Sequence, residues 1–306
     1  MTPRRRIVSL LPSATEIVAA MGMLDQLVGR SHECDFPPEV LGLPVCSRPR
    51  IDVNTTGAEI DRQVHDSLRA GLSVFEVDSA LLRELRPDVI LTQTQCDVCA
   101  VTPEELEAAL TQGDQNPSVI DLNPQQLERF FGDIHVVAIA LHAPDRGHQL
   151  VVELRGGFET LRQQTSKRRH RPTVACVEWF EPLMVAGNWV PELVEIAGGV
   201  AVGAVAGQHS PWFDWQQLLE ADPEVLVLMP CGWGLAKARA ESTALMSDSR
   251  WAKLSAVRAG NVFVTDGHQF FNRPGPRLLD SAQILAEILH PEACNFGHRD
   301  LHWEKL

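Results

Sequence analysis

One stretch of this sequence occurs twice in nearly the same form. Leu85-Arg86-Pro87-Asp88-Val89-Ile90-Leu91-Thr92-Gln93 and Ala221-Asp222-Pro223-Glu224-Val225-Leu226-Val227-Leu228-Met229-Pro230 are both a proline, an acid and an aliphatic run. Each follows an amphipathic stretch, and each leads to a cysteine, Cys96 in the first copy and Cys231 in the second. Read as helix, turn and strand, the two copies place one α/β lobe in each half of the chain. Paired lobes of this kind face each other across a cleft, and α/β sheets bind ligands at the carboxyl ends of their strands.

The rest of the chain agrees with two lobes. Strands are expected at 6–11, 26–31, 89–92, 118–122, 173–177, 225–229 and 262–265. Helices are expected from Ser13 or Thr15 to Met21, at 58–69 and 79–85, and from Thr102 and Pro124. Further helices are expected at 190–197, 215–220, 251–255 and 277–290. A short extended piece is expected at 73–77, and a polar loop at 32–54. Strand and helix in alternation imply a largely parallel sheet in each half. The longest helical pattern is 145–166, where Val151, Leu154, Phe158 and Leu161 share a face despite Gly156-Gly157. It reads as a connector. The expected domains are 1–143, a connecting helix 144–168, a second lobe 169–290, and a polar tail 291–306 that packs back or stays disordered.

Bulk properties narrow the function. The 306 residues, 44% of them hydrophobic, suffice for two cores. A net charge of −13 with no basic run beyond 167–171 argues against nucleic acid as a partner. No stretch approaches a membrane span, so membrane insertion is not expected. The apolar run after Arg4-Arg5-Arg6 is cut short at Pro12 and reads as a strand, not a secretory signal. The seven cysteines are therefore expected to be reduced thiols in a cytoplasmic protein. A signal upstream of the recorded start would make the protein periplasmic instead. No nucleophile elbow, phosphate loop or dinucleotide glycine fingerprint occurs, so no enzyme is expected.

Four segments in order carry a family resemblance: Arg6 to Glu16, Arg86-Pro87-Asp88-Val89-Ile90-Leu91, Gly187-Asn188-Trp189-Val190-Pro191-Glu192-Leu193 through Gly198-Gly199, and Arg273-Pro274-Gly275-Pro276-Arg277. The chain resembles the cobalamin and iron-siderophore class of ABC-transporter substrate-binding proteins, over roughly residues 6 to 290. It looks closest to signal-less, cobalamin-binding-like members. The resemblance implies two Rossmann-like α/β lobes joined by one long backbone helix, with a small-molecule ligand such as cobalamin held in the cleft. An ABC permease is implied as partner if the protein is exported.

In that architecture the strand-end loops supply the candidate ligand residues. They are Ser13, His32, Glu33 and Gln95 in the first lobe, and Glu178, Trp179, Asn188, Trp189, His268 and Phe270 in the second. Trp179 and Trp189 suit a flat macrocycle because each indole buries a broad apolar face, whereas Trp212, Trp215, Trp233 and Trp251 are assigned to packing. Cys96 and Cys99, two residues apart before a helix start, are a candidate pair for zinc or another transition metal. Zinc wants four ligands, so Cys34, Cys231 or His32 must complete such a site. Dithiol chemistry and inert thiols remain alternatives. The competing function is a cytosolic metal- or thiol-dependent protein, an enzyme on the same scaffold.

Overall fold

The computed structural model describes residues 4–70, 73–93, 106, 110 and 116–306. They divide into two compact units, Met1–Pro124 with Glu128–Glu153, and Gln125–Leu127 with Leu154–Leu306.

In the first unit, β1 (Ile7–Ser9), β2 (Leu27–Arg30), β5 (Val89–Gln93) and β6 (Ser118–Leu122) form a parallel sheet in the order β2-β1-β5-β6. Two short strands, β3 (Ser47–Pro49) and β4 (Phe75–Val77), pair antiparallel beside it. The helices are α1 (Pro12–Ala20), α2 (Gly57–Arg69), α3 (Ser79–Leu85) and α4 (Leu127–Ala140). Val8 and Ile90 from the sheet meet Leu82 of α3 and Phe75 of β4 in a dry core. Full burial of such side chains stabilises the fold by about 1.5–3 kcal/mol each.

The second unit holds β7 (Thr173–Phe180), β8 (Leu183–Val185), β9 (Val200–Ala201), β10 (Val225–Leu228), β11 (Val262–Thr265) and β12 (Trp303–Lys305). The order is β12-β11-β10-β7-β8, with β9 also on β7. The centre is parallel, and the edge strands β8 and β12 run antiparallel. After the long helix α5 (Pro144–Thr165), its helices are α6 (Val190–Ile196), α7 (Trp215–Ala221), α8 (Leu235–Leu245), α9 (Ser255–Arg258) and α10 (Leu278–Leu289).

The repeated sequence is a repeated structure. In each copy a helix ends on a left-handed residue, Arg86 at φ 46° after α3 and Asp222 at φ 32° after α7. Proline follows and forbids another helical turn. The acid then turns back onto the neighbouring strand. Asp88 Oδ2 accepts the Arg6 N–H at 2.8 Å, and Glu224 Oε2 accepts the Thr173 N–H at 2.9 Å. Arg6 and Thr173 occupy equivalent places, because Ile7 pairs with Val89 and Val174 with Val225. The acid thus sets the register of the two central strands before the sheet begins.

Helix α5 runs unbroken through Gly156-Gly157, and the division between the units falls inside it. Gly157 has a packing reason: a Cβ there would collide with the Leu279 side chain of α10. Close approach of two helices outweighs the weak helix propensity of glycine.

Several boundaries differ from expectation. Helix α1 starts with Pro12 in its first turn and Leu11 as cap, so Ser13 lies inside the helix and not at its cap. Proline is pre-shaped for that position. Helix α4 begins at Leu127, not Pro124, and its first N–H is taken by the Glu192 carboxylate at 2.8 Å. The expected loop 32–54 contains β3 and a 3-10 turn at Pro38–Gly42. Strand β8 and helix α8 had no counterpart in the sequence reading. Residues 303–305 pack back as β12, with Trp303 buried. The helix expected from Thr102 lies largely outside the described residues.

Asp88→Ala and Glu224→Ala are each expected to lower stability by about 1 kcal/mol in urea unfolding, the scale of one exposed charge-assisted bond. Arg86→Gly relieves a left-handed residue and is expected to be neutral or stabilising. Asp222→Gly is expected to destabilise. Its carboxylate also accepts the Ser255 N–H at 2.7 Å and the Ser255 hydroxyl at 2.6 Å, bonds that hold it below the usual carboxylate range.

Candidate ligand-binding site

The carboxyl ends of parallel strands open into loops whose backbone is free of the sheet, and ligand groups collect there. In the second unit these loops gather aromatic rings. Trp179, near the end of β7, lies 5.3 Å from Trp233, centroid to centroid, and Phe180 meets the same ring edge-on at 5.8 Å. Trp233 follows β10 through Gly232, whose φ of +75° swings the chain back. Lys237 of α8 holds its ammonium 4.8 Å from the Trp233 centroid. Trp179 pairs across β8 with Met184, which bridges in turn to Trp212, 53% exposed. Cross-strand partners stand on one face, so this row continues the apolar surface.

The loop after β11 supplies the polar flank. Asp266, buried, accepts the His268 and Gln269 N–H groups at 3.0 and 2.8 Å. The His268 N–H also reaches the Trp233 carbonyl at 3.1 Å, which ties the loop to the aromatic cluster. Arg273, also buried, donates from Nη2 to His268 Nε2 at 2.9 Å. Gly267 lies so close to the Pro230 carbonyl that a Cβ would strike it. Glycine is required here to bring the β10 and β11 loops together.

Other expected residues of this unit sit deeper. Trp189 is buried at the start of α6, and its indole N–H is used by the Phe271 carbonyl at 2.7 Å. It pins the fold and does not offer an open face. Phe270 is likewise buried, with the Arg277 guanidinium 5.4 Å from its ring centroid. Asn188, half-buried at φ 51°, accepts the Gly207 N–H at 2.9 Å and is a turn residue. The Glu178 carbonyl accepts the Cys231 N–H at 3.0 Å, so the exposed Cys231 thiol sits beside the aromatic cluster in sequence and in space.

In the first unit, His32 follows β2. Its Nδ1 lies 2.9 Å from Ser47 Oγ, and its ring packs on Phe75 at 5.1 Å. Burial, helped by the Arg30 charge, pushes its pKa down to about 4, so the ring is neutral at pH 7. Glu33, half-buried, donates its N–H to Ser31 Oγ at 3.2 Å. Ser13 is buried in the first turn of α1. Cys34 is fully buried and receives the Thr15 hydroxyl at 3.0 Å on its sulfur. Gln95, Cys96 and Cys99 lie outside the described residues. Among the described residues no three of His, Cys, Asp and Glu are grouped as a metal would require.

The sequence reading named Phe180 only as part of a strand-end loop, passed over Lys237, and assigned Trp212 and Trp233 to packing; Trp233 is indeed buried, whereas Trp212 is 53% exposed.

Two units with parallel sheets and side chains gathered at the strand ends define a two-part α/β solute-binding protein. The family model described as periplasmic binding protein matches residues 7–268, and the chain belongs to that family. The vitamin B12-binding protein of Vibrio cholerae is 24% identical over 294 residues, covering 94% of this chain and 90% of that protein. The solved periplasmic vitamin B12 binding protein of Vibrio cholerae is similar in fold. Its TM-score is 0.67 at 23% identity, over 94% of this chain and 97% of that one. A periplasmic heme-binding protein from a Roseiflexus species, in apo form, gives a TM-score of 0.71 at 23% identity, over 95% and 100%. The fold is therefore the helical-backbone form of periplasmic binding protein, and the protein is a non-catalytic solute-binding protein. The enzyme alternative finds no support among these relatives.

Two outcomes are expected at these sites. The His32 ring, followed by NMR, is expected to stay neutral to pH 6 and titrate near 4. Its folded pKa is depressed, so stability is present above the ordinary histidine value and falls as pH drops from about 6.5 toward 4. The acid loss is expected to be shallower in His32→Gln. Gly267→Ala is expected to cost about 2–4 kcal/mol, because the clash is with backbone and cannot be relieved by a rotamer.

Proposed function

We propose that the protein binds a flat, macrocyclic metal chelate, in the first place a corrinoid such as cobalamin, and hands it to an ABC permease. The observation that carries this reading is the pair of half-buried rings Trp179 and Phe180 at the end of the first strand of the second sheet, backed by the buried Trp233 and continued by the exposed Trp212. Clustered aromatic rings match the broad apolar face of a macrocycle. Lys237, Arg273 and His268 stand at the same edge and match polar groups on its rim. The names of the relatives, vitamin B12-binding and heme-binding, belong to the same chemical class.

Haem is the second reading. A cationic rim of Lys237 and Arg273 suits the carboxylates of haem as well as the amides and phosphate of a corrinoid. The periplasm is the compartment this reading requires, in place of the cytoplasm expected from the first residues. Among the described residues no helix is long and apolar enough to cross a membrane. Ser13, His32, Glu33, Glu178 and Asn188 stay as further candidate contacts. Zinc or another transition metal held by Cys34, Cys96, Cys99 and Cys231 would be a separate property, tested by metal analysis of the purified protein.

Titration with cyanocobalamin and with haemin, read by tryptophan fluorescence, decides between the ligands. Quenching at micromolar cyanocobalamin is expected. Trp179→Ala is expected to weaken it by tenfold or more, the scale of one lost aromatic contact of about 1.5 kcal/mol. Binding of neither probe at tens of micromolar would overturn this reading.

A further inference from the structure

The last residues of the chain are built onto the loop that carries His268 and Arg273. Strand β12 adds to the edge of β11, and the Asp266 N–H donates to the His302 carbonyl at 2.9 Å. Residues 291–302 are anchored from beneath by Glu287 of α10, whose buried carboxylate accepts the Phe296, His298 and Trp303 N–H groups. Two histidines of this strap meet. His298 Nδ1 and His302 Nδ1 are 2.9 Å apart, and His298 Nε2 lies 3.3 Å from Gln283 Oε1. His302 lies tilted against Phe270 at 4.6 Å and His298 meets the same ring edge-on at 6.3 Å. Phe270 belongs to the loop 266–273, so the pair forms its floor.

The contact between the two Nδ1 atoms has room for one proton. Gln283 Oε1 is an acceptor, so His298 Nε2 donates to it and His298 Nδ1 keeps its lone pair. That lone pair accepts the His302 Nδ1 proton. The arrangement holds with both rings neutral, and it holds with one charge placed on His302. It fails with two charges, because N–H then faces N–H between like cations. The charged groups facing the pair are Asp266 at the end of β11, Asp280 and Glu287 on α10, and Arg277 at the start of α10. Three acids favour the first proton, and Arg277 with the neighbouring imidazole opposes the second.

We propose that the His298–His302 pair is a positioning latch that holds the 266–273 loop in its ligand-ready form at neutral pH and lets go when both rings are protonated. As a control of ligand binding it rests on the function proposed above. As a property of the fold it stands alone. The strap lies beyond the family match at 7–268 and is built from this chain's own last residues. His302 is pushed below the ordinary histidine value, first by burial and then by the His298 charge, which sets the sign. The latch stays closed through the first protonation and opens only on the second, at a pH below the ordinary histidine value.

The test compares wild type with His302→Gln and His298→Asn, which keep a polar side chain at each place but cannot build a doubly charged pair. Hydrogen exchange at the Asp266 and Leu306 amides, both bonded across β11 and β12, is measured without ligand at pH 7.5, 6 and 5 and corrected for intrinsic rates. Tenfold or greater loss of protection at pH 5 is expected in wild type, with little change in either variant that folds. An equal change in wild type and variants, or none in any, overturns the latch. The same proteins are titrated with cyanocobalamin at pH 7.5 and 5. A fall in affinity at pH 5 that is larger in wild type than in the variants supports control of the site. Parallel falls overturn that control. No cyanocobalamin binding at either pH removes the ligand reading and its control, while the exchange result still decides the latch.

Discussion

The interaction on which both units depend is a carboxylate reaching back to the first amide of a neighbouring strand. Parallel strands cannot be joined by a tight turn, so nothing local fixes their register. Asp88 and Glu224 supply the missing reference point. Each stands one residue before its strand and is held there by proline and a left-handed helix end. The placement of every strand-end loop follows from this, because the loops emerge a fixed number of residues later. Trp233 is where it is because Val225 is in register with Val174.

The strand ends differ in how their side chains are held. Trp179 and Trp233 lean on each other, and Lys237 covers part of the second ring. The β11 loop is held by backbone bonds to Asp266 and by the buried Arg273.

Much of this was legible in the sequence because it is written locally. Proline, acid and aliphatic run sit side by side, and the helices and parallel strands they bound were placed within a few residues. What escaped depends on distant partners. Strand β8 is only Leu183–Val185, too short for a period, and β12 is Trp303–Lys305, with no aliphatic run. It forms because Glu287, 16 residues earlier, takes the Trp303 indole N–H. Trp189 looked like a ligand wall, but its N–H ends on a carbonyl 82 residues away. Trp233 was read as core and is buried, and the turn at Gly232 sets it against Trp179 at the strand end. The thiol pair Cys96 and Cys99 lies outside the described residues, and Cys34 is closed into the core.

The matched carboxylate clamps also bear on how the chain folds. The bond from Asp88 spans 82 residues, and the bond from Glu224 spans 51. Chain-closure entropy grows only with the logarithm of length, so the longer span costs about 0.4 kcal/mol more. Neither half is therefore favoured by topology to organise first. Whichever nucleates is decided by its own local helix and aromatic contacts.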